Sequence, residues 1–328
     1  MTSFLHSSVL LQPGARLPSV TRHLLENVWS PARYESLSHS DYLRQGEKQV
    51  AHIEECLTLG AAHVWDEIVA ASIAAPSLRQ WFGLDQALPP ALPRAAVVFD
   101  GLSLRELPLL LKLATESGFQ IADSKVIATV LPTETTEFVR ERLLGSALAP
   151  AALPGRADLR ERGLDVFYLS QANSREHFPS GRNILVWSSY PDRLYSDDAA
   201  RSDVLFTQFH DLIPTIWKYA VQALPADLPV LLTSDHGYQF FGPGMESSRN
   251  STAPELLGQA RNKVFCSEES LPSPHPDLQI IHSRRLALLR GRGRVRSRPK
   301  GSSARKLYQH GGLSLMESLV PWVELRRP

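Results

Sequence analysis

Cysteine is nearly absent: Cys56 and Cys266 are the only two in 328 residues, and they form no CxxC pair. That excludes a disulfide-stapled scaffold and a thiolate zinc site, so any metal must be held by oxygen and imidazole. There is also no uninterrupted run of about 18 apolar residues, so no membrane span is expected. The opening MTSFLHSSVLLQPGARLPSV lacks a basic leader followed by a long hydrophobic stretch. No signal peptide is therefore expected, and the cytoplasm is the default compartment. An excess of one charge is missing too. With 35 basic and 34 acidic residues the net charge is +1, and the chain as a whole carries no signature of a nucleic-acid binder. Hydrophobic residues at 43% and charged residues at 21% fit a folded globular chain and exclude wholesale disorder.

What is present changes rhythm at PPALPR, residues 89–94. Before it, from about Ser19 to Leu88, apolar residues recur at three- and four-residue spacing, as in QVAHIEECLTLGAAHVWDEIVAASIAA, which predicts helices. The proline-rich stretch breaks that pattern. It divides a helical N-terminal region, 1–94, serving as a cap or partner-docking element, from a larger domain, 95–328. In the larger domain compact apolar runs alternate with amphipathic ones. AAVVFDGL, KVIATVLPT, LDVFYLS, NILVWSSYPD and PVLLTSDHG read as buried strands. LRELPLLLKLATESG, TTEFVRERLLG and the long run 204–224, bent at Pro214, read as helices. This order predicts an α/β domain, a mostly parallel sheet with helices on both faces, preceded by the helical region. Active sites of such sheets lie beyond the carboxyl ends of the strands. Three of these strands end there in Asp-Gly, Pro-Asp and Ser-Asp-His-Gly.

Asp100 closes the first buried strand, where an acidic residue also serves as an ordinary turn cap. Asp235 and His236 stand side by side after an apolar strand. Together they can supply the oxygen and nitrogen ligands that zinc or manganese takes. His310 opens His310-Gly311-Gly312, followed by Ser314-Leu315-Met316-Glu317, a capping-box pattern that reads as a turn into a helix.

VVFDGL, LPTETTEFVRERLLG, LLTSDHG and LYQHGGLSLMESLVPWVEL resemble the successive signatures of PglZ domains in the alkaline-phosphatase superfamily. The resemblance runs over roughly 95–328 and is most specific in the TSDHG and HGGxSxxExxVP segments. It implies an alkaline-phosphatase-like core and a metal-dependent phosphohydrolase of phosphodiesterase or nuclease type. The implied substrate is a nucleotide or nucleic-acid phosphoester, and the implied setting is bacterial phage defence, with protein partners docking on the N-terminal helices. It further implies that Asp100, Asp235 and His236 hold one divalent ion, zinc or manganese, while His310 serves a second. Among Thr133, Thr135 and Thr136, Thr135 occupies the family's nucleophile place and would also contact metal. It precedes a helix that ends at Gly145, and a helix N-terminus favours phosphate; helix capping is the competing role for all three threonines.

One position departs from the family's pattern. The second ion's usual Asp, with a His four residues later, corresponds here to Asp192 followed by Ser196. Asp197, Asp198 or His210 are the candidate substitutes, although His210 lies in an amphipathic helix and reads as a packed or surface histidine. One ion or two, or a non-catalytic scaffold of a defence complex that has lost one metal site, are the readings this leaves open. Lastly, Arg284 to Lys306 carries ten basic residues and no acidic one. Such a run attracts polyanions, which makes Arg290, Arg292, Arg294, Arg296 and Arg298 candidate substrate-binding residues; a solvated loop is the plainer reading.

Overall fold

The computed structural model describes residues 16–86, 92–196, 204–242, 252–258, 260–293, 295 and 307–328. Its strands are β1 (Ala95–Asp100), β2 (Gln120–Ala128), β3 (Leu164–Leu169), β4 (Asn183–Pro191), β5 (Val230–Ser234), β6 (Gln239–Phe240), β7 (Asn262–Val264), β8 (Leu278–Ile281), β9 (Leu286–Leu289), β10 (Tyr308–Gln309) and β11 (Leu319–Arg326). Six of them form the main sheet in the order β2-β11-β5-β1-β4-β3. β1 runs parallel to β4 and β5, and β3 runs parallel to β4. β11 alone runs against its neighbours, antiparallel to both β2 and β5. The mostly parallel α/β class expected from the sequence is what is found.

Burial on both faces explains the apolar runs. Along β1, Ala95, Val97 and Phe99 point into one core, and Ala96 and Val98 into the other. The first core is filled by the N-terminal helices His39–Gly60 and His63–Ala74 and by Leu107–Glu116 and Val204–Ala220. The second is filled by Leu78, Trp81 and Phe82 and by Phe138, Val139 and Leu143. Each of these large apolar side chains contributes about 1.5–3 kcal/mol on leaving water. The helices before residue 94 therefore share the two cores of the sheet. Among the described residues, no single helix is long and apolar enough to cross a membrane.

Buried charge ties the first long helix to the rest. Glu47 Oε1 accepts from Arg105 Nε and Nη2 at 3.0 and 2.7 Å, and its Oε2 accepts from Arg292 Nη2 at 2.6 Å. Further along the same helix, Glu54 accepts from Gln239 Nε2 and from the Leu315 backbone N–H. Two segments differ from the sequence-based expectation. Ser314-Leu315-Met316-Glu317 opens a helix of only four residues, Leu315–Ser318, which passes at once into β11. The segment 262–289 holds a second, three-stranded sheet in the order β7-β9-β8 that the apolar pattern had not signalled.

Candidate metal centre

β1, β4 and β5 are parallel neighbours, so their carboxyl ends lie at one edge of the sheet, and Asp100, Asp192 and Asp235 follow from there. Asp235 and His236 are fully buried, and Asp100 nearly so. His236 Nε2 lies 3.5 Å from Asp235 Oδ2 and 3.8 Å from Asp100 Oδ1. His310 Nε2 approaches Asp192 Oδ1 at 3.7 Å, and the His310 ring stacks on that of His236 with centroids 4.1 Å apart. Among the described residues two clusters have metal-ligand geometry, Asp100–Asp235–His236 and Asp192–His236–His310.

The supports of these side chains are set for coordination. His236 Nδ1 is 2.9 Å from Gly237 O, and His310 Nδ1 is 2.9 Å from Thr133 O. A carbonyl can only accept, so each Nδ1 carries the proton and each Nε2 presents its lone pair to the site. Asp100 Oδ2 accepts from Trp187 Nε1 at 3.3 Å, and Asp235 Oδ1 accepts from the Gly101 N–H at 3.0 Å. Asp235 Oδ2, by contrast, is buried with no hydrogen-bond partner. An unpartnered buried carboxylate oxygen is costly, and a cation is the ligand that relieves it. The residues present therefore fit a divalent ion of the oxygen- and nitrogen-preferring kind. Burial, then the charges of Asp235 and Asp192, hold the Asp100 carboxyl well above the usual carboxylate range, the same crowding of negative charge seen from another side. For His310 burial works against the charged form, but the Asp192 and Glu134 carboxylates outweigh it and raise its pKa.

The three threonines separate cleanly. Thr135 Oγ1 lies 3.4 Å from Asp100 Oδ1 and 3.2 Å from His236 Nε2, at the start of the helix Thr135–Val139. That helix continues as a π-helical turn, Arg140–Leu144, and ends at Gly145. Thr133 is fully buried: its hydroxyl accepts from the Gly311 N–H at 2.8 Å and donates to Gly312 O at 3.2 Å. Thr133 thus shapes the loop that carries His310. Thr136 is exposed. Thr133→Ala leaves the Gly311 N–H without its acceptor and is expected to cost about 1–3 kcal/mol; an unchanged urea midpoint would contradict that role.

Two glycines make the site's loops possible. A Cβ on Gly237 would sit 2.0 Å from Met316 O, where the loop after β5 meets the Leu315–Ser318 helix. Gly311 has φ +102°, and a Cβ there would meet Glu134 Oε1 at 2.5 Å. Behind this loop, Glu317 accepts from Gly312 N–H and from Arg261 Nε and Nη2, and Arg261 also donates to Gly291 O. Sequence reading did not single out Arg261 or Trp187, and it read Glu317 only as part of a helix-capping pattern. Only the Glu317 of the HGGxSxxE pattern carried any local signal.

The basic run needs correction. Arg292 is buried, paired with Glu47 and donating to Phe240 O, so it cannot guide a polyanion. Arg290 is occupied as well, donating through Nε and Nη2 to Gln279 Oε1. Arg294, Arg296 and Arg298 lie outside the described residues, as do Asp197 and Asp198. His210 is no substitute ligand. It is buried beside Tyr34 and His39, and burial, then the neighbouring His39 and Arg105, push its pKa down to about 3.

No family model matches this chain, and no curated protein does. Among solved structures, a phosphonoacetate hydrolase from Sinorhizobium meliloti 1021 in complex with phosphonoacetate is similar, with a TM-score of 0.38 and 11% identity, over 74% of this chain and 92% of that one. A murine ectonucleotide pyrophosphatase / phosphodiesterase 5 is similar at 0.41 and 14%, over 72% and 88%. Likenesses this distant carry no argument about activity, which has to come from the site itself.

Proposed function

We propose that this protein is a metal-dependent phosphohydrolase, of phosphodiesterase or nuclease type, acting on a nucleotide or nucleic-acid phosphoester. The observation that carries the reading is Thr135. Its hydroxyl is partly exposed and stands between Asp100 and His236, beside the unpartnered Asp235 Oδ2. Asp100, Asp235 and His236 would hold one divalent ion, zinc or manganese, with Asp192 and His310 available to a second. When bound, such an ion supplies Lewis-acid stabilisation of phosphoryl oxygens and lowers the pKa of a nearby hydroxyl. Thr135 Oγ1 is the nucleophile, oriented by Asp100 Oδ1 and His236 Nε2. Having given its proton to water, it would form a bond to phosphorus as the P–O bond to the leaving group breaks, giving a phosphothreonine that water then hydrolyses. The burial of Asp235 and His236 limits water at the reacting centre.

Hydrolysis of bis-p-nitrophenyl phosphate with zinc, manganese, magnesium or no metal tests the class. Asp235→Ala or His236→Ala is expected to strip the bound metal, since each removes one of only about four ligands. Elemental analysis showing equal metal in mutant and wild type would refute the assignment. A second reading, a non-catalytic scaffold, is favoured by one feature, Ser196 in place of the family's histidine. It predicts a folded, metal-binding protein without turnover under any of these conditions.

The nucleic-acid part of the reading rests on the basic run. Replacing Arg294, Arg296 and Arg298 with Gln is expected to weaken oligonucleotide binding and to flatten its salt dependence, by roughly 0.7 to 0.9 in log–log slope for each phosphate no longer neutralised. Unaltered binding at every salt concentration would favour a small phosphorylated metabolite as substrate. A phage-defence setting, with partners docking on the N-terminal helices, comes from the PglZ resemblance. Leu59 and Ile73, 69% and 77% exposed, are apolar side chains on those helices that a partner would cover.

A further inference from the structure

The two ligand clusters share His236 but cannot share its lone pair. Nδ1 is committed to Gly237 O, so His236 has one nitrogen for one ion. Nε2 lies 3.5 Å from the Asp235 oxygen that has no other partner and 3.2 Å from Thr135 Oγ1, which places it with the buried half. That half then has three ligands, Asp100, Asp235 and His236, all held at the ends of the adjacent strands β1 and β5. The other half keeps only Asp192 and His310, whose side chains are 29% and 30% exposed. Its supports are unequal: Asp192 directly follows the nine-residue strand β4 and opens a five-residue helix, whereas His310 follows only the two-residue strand β10.

Something else must hold His310 in register with Asp192, and three tyrosines are placed to do it. Tyr195 lies three residues after Asp192, Tyr238 two after His236, and Tyr308 two before His310. Each segment that brings a residue of the second cluster thus brings a tyrosine as well. All three rings are buried and packed on one another. Tyr195 stacks on Tyr308 with centroids 4.1 Å apart and planes 13° from parallel, and it meets Tyr238 at 4.4 Å. The Tyr195 and Tyr238 hydroxyls are 3.0 Å apart, and Tyr238 donates to Glu106 Oε1 at 3.0 Å. The Arg105 guanidinium lies over the Tyr238 ring, 3.9 Å from its centroid.

We propose that the centre holds two divalent cations unequally, one tightly at Asp100, Asp235 and His236 and one weakly at Asp192 and His310, and that the packed rings of Tyr195, Tyr238 and Tyr308 set the affinity for the weaker one. This rests on the metal reading above and deepens it. The tyrosines touch neither ion nor substrate; they are positioning residues. By fixing the position of His310 against Asp192 before an ion arrives, the stack removes the ordering cost that a ligand on a short segment would otherwise impose on binding.

The test is a titration of chelator-stripped full-length protein with Zn2+ against a competing indicator, with metal content measured again after gel filtration. Wild type is expected to bind in two steps, retaining one ion through the column and losing the other. Asp192→Asn should remove the weak step and leave the tight one. Tyr308→Leu should weaken the second step by roughly tenfold or more, as removing the supports around metal ligands does, with the first step within about twofold. Tyr195→Phe, which keeps the ring stack, should leave both steps near wild type. Two equal steps in wild type, loss of both steps in Asp192→Asn, or an unchanged second step in a folded Tyr308→Leu each overturn the proposal. If Tyr308→Leu fails to fold, Tyr308→Phe, which keeps the ring and should leave both steps near wild type, and Tyr195→Leu, under the same criterion as Tyr308→Leu, take its place. No zinc bound by wild type overturns the metal reading itself, an outcome distinct from one ion bound, which overturns the two-ion proposal and leaves the metal reading standing.

Discussion

Thr135→Ala is expected to lower phosphodiester turnover on the order of 10³-fold or more, the usual consequence of deleting a nucleophile that acts in concert with its neighbours. Circular dichroism and the retained zinc should be unchanged, because Thr135 is only partly buried and a bound ion would still partner Asp100 Oδ1 and His236 Nε2, the two atoms its hydroxyl contacts. Thr135→Ser should restore part of the rate. Thr136→Ala, on the exposed side of the same turn, should stay within about twofold of wild type, since surface changes away from a site have small effects. Turnover that survives Thr135→Ala at near wild-type rate would mean that water attacks phosphorus directly, with Thr135 a helix-cap residue only.

The second large effect concerns stability. Glu47 is buried between two arginines that reach it from far away in sequence, Arg105 and Arg292, with both side-chain contacts at 2.7 Å or less. Glu47→Ala removes the counter-charge that the two buried guanidinium groups share, while Arg292 keeps its 3.6 Å contact to Glu54. Breaking a buried pair in this way costs about 3–5 kcal/mol. The expected result is a much earlier midpoint in urea or thermal unfolding. Arg292→Gln should do the same in milder form, with no specific effect on oligonucleotide affinity. If Glu47→Ala unfolds with the wild-type midpoint, the helix His39–Gly60 is not anchored through this network.

How much was legible in the sequence depends on the range of each interaction. The strand-end acids were legible because a strand buried on both faces is apolar throughout, so the first polar residue after it marks the sheet's edge. VVFDGL and LLTSDHG announce Asp100 and Asp235 in that way. Thr135 was preferred among the threonines on the resemblance and the helix it opens, but that Thr133 is consumed by Gly311 and Gly312 depends on a hydrogen bond to a segment 178 residues away. Arg292 was misjudged for the same reason, since its partner Glu47 lies 245 residues upstream and nothing local distinguishes a buried arginine from a solvated one. β11 was hidden by a real helix signal. Ser314 does accept from the Glu317 N–H, but the turn it starts is cut short when the chain enters the sheet. Pro321 strengthens the disguise. It is tolerated because pairing with β5 begins only at Trp322, so on that side Pro321 has no ladder bond to lose.

The position of β11 also has a consequence for how the molecule is made. β2 ends at Ala128, and the strand that joins it to the rest of the sheet begins at Leu319, about 190 residues later. At a synthesis rate of roughly 5–20 residues per second, β2 leaves the ribosome some 10–40 s before β11, its one sheet neighbour among the described residues, exists. During that interval its hydrogen-bonding groups face water or whatever other chain is nearby. Nascent chains paused or cleaved between these two points should therefore be the species that aggregate and recruit chaperones, whereas release after Arg326 lets the sheet close.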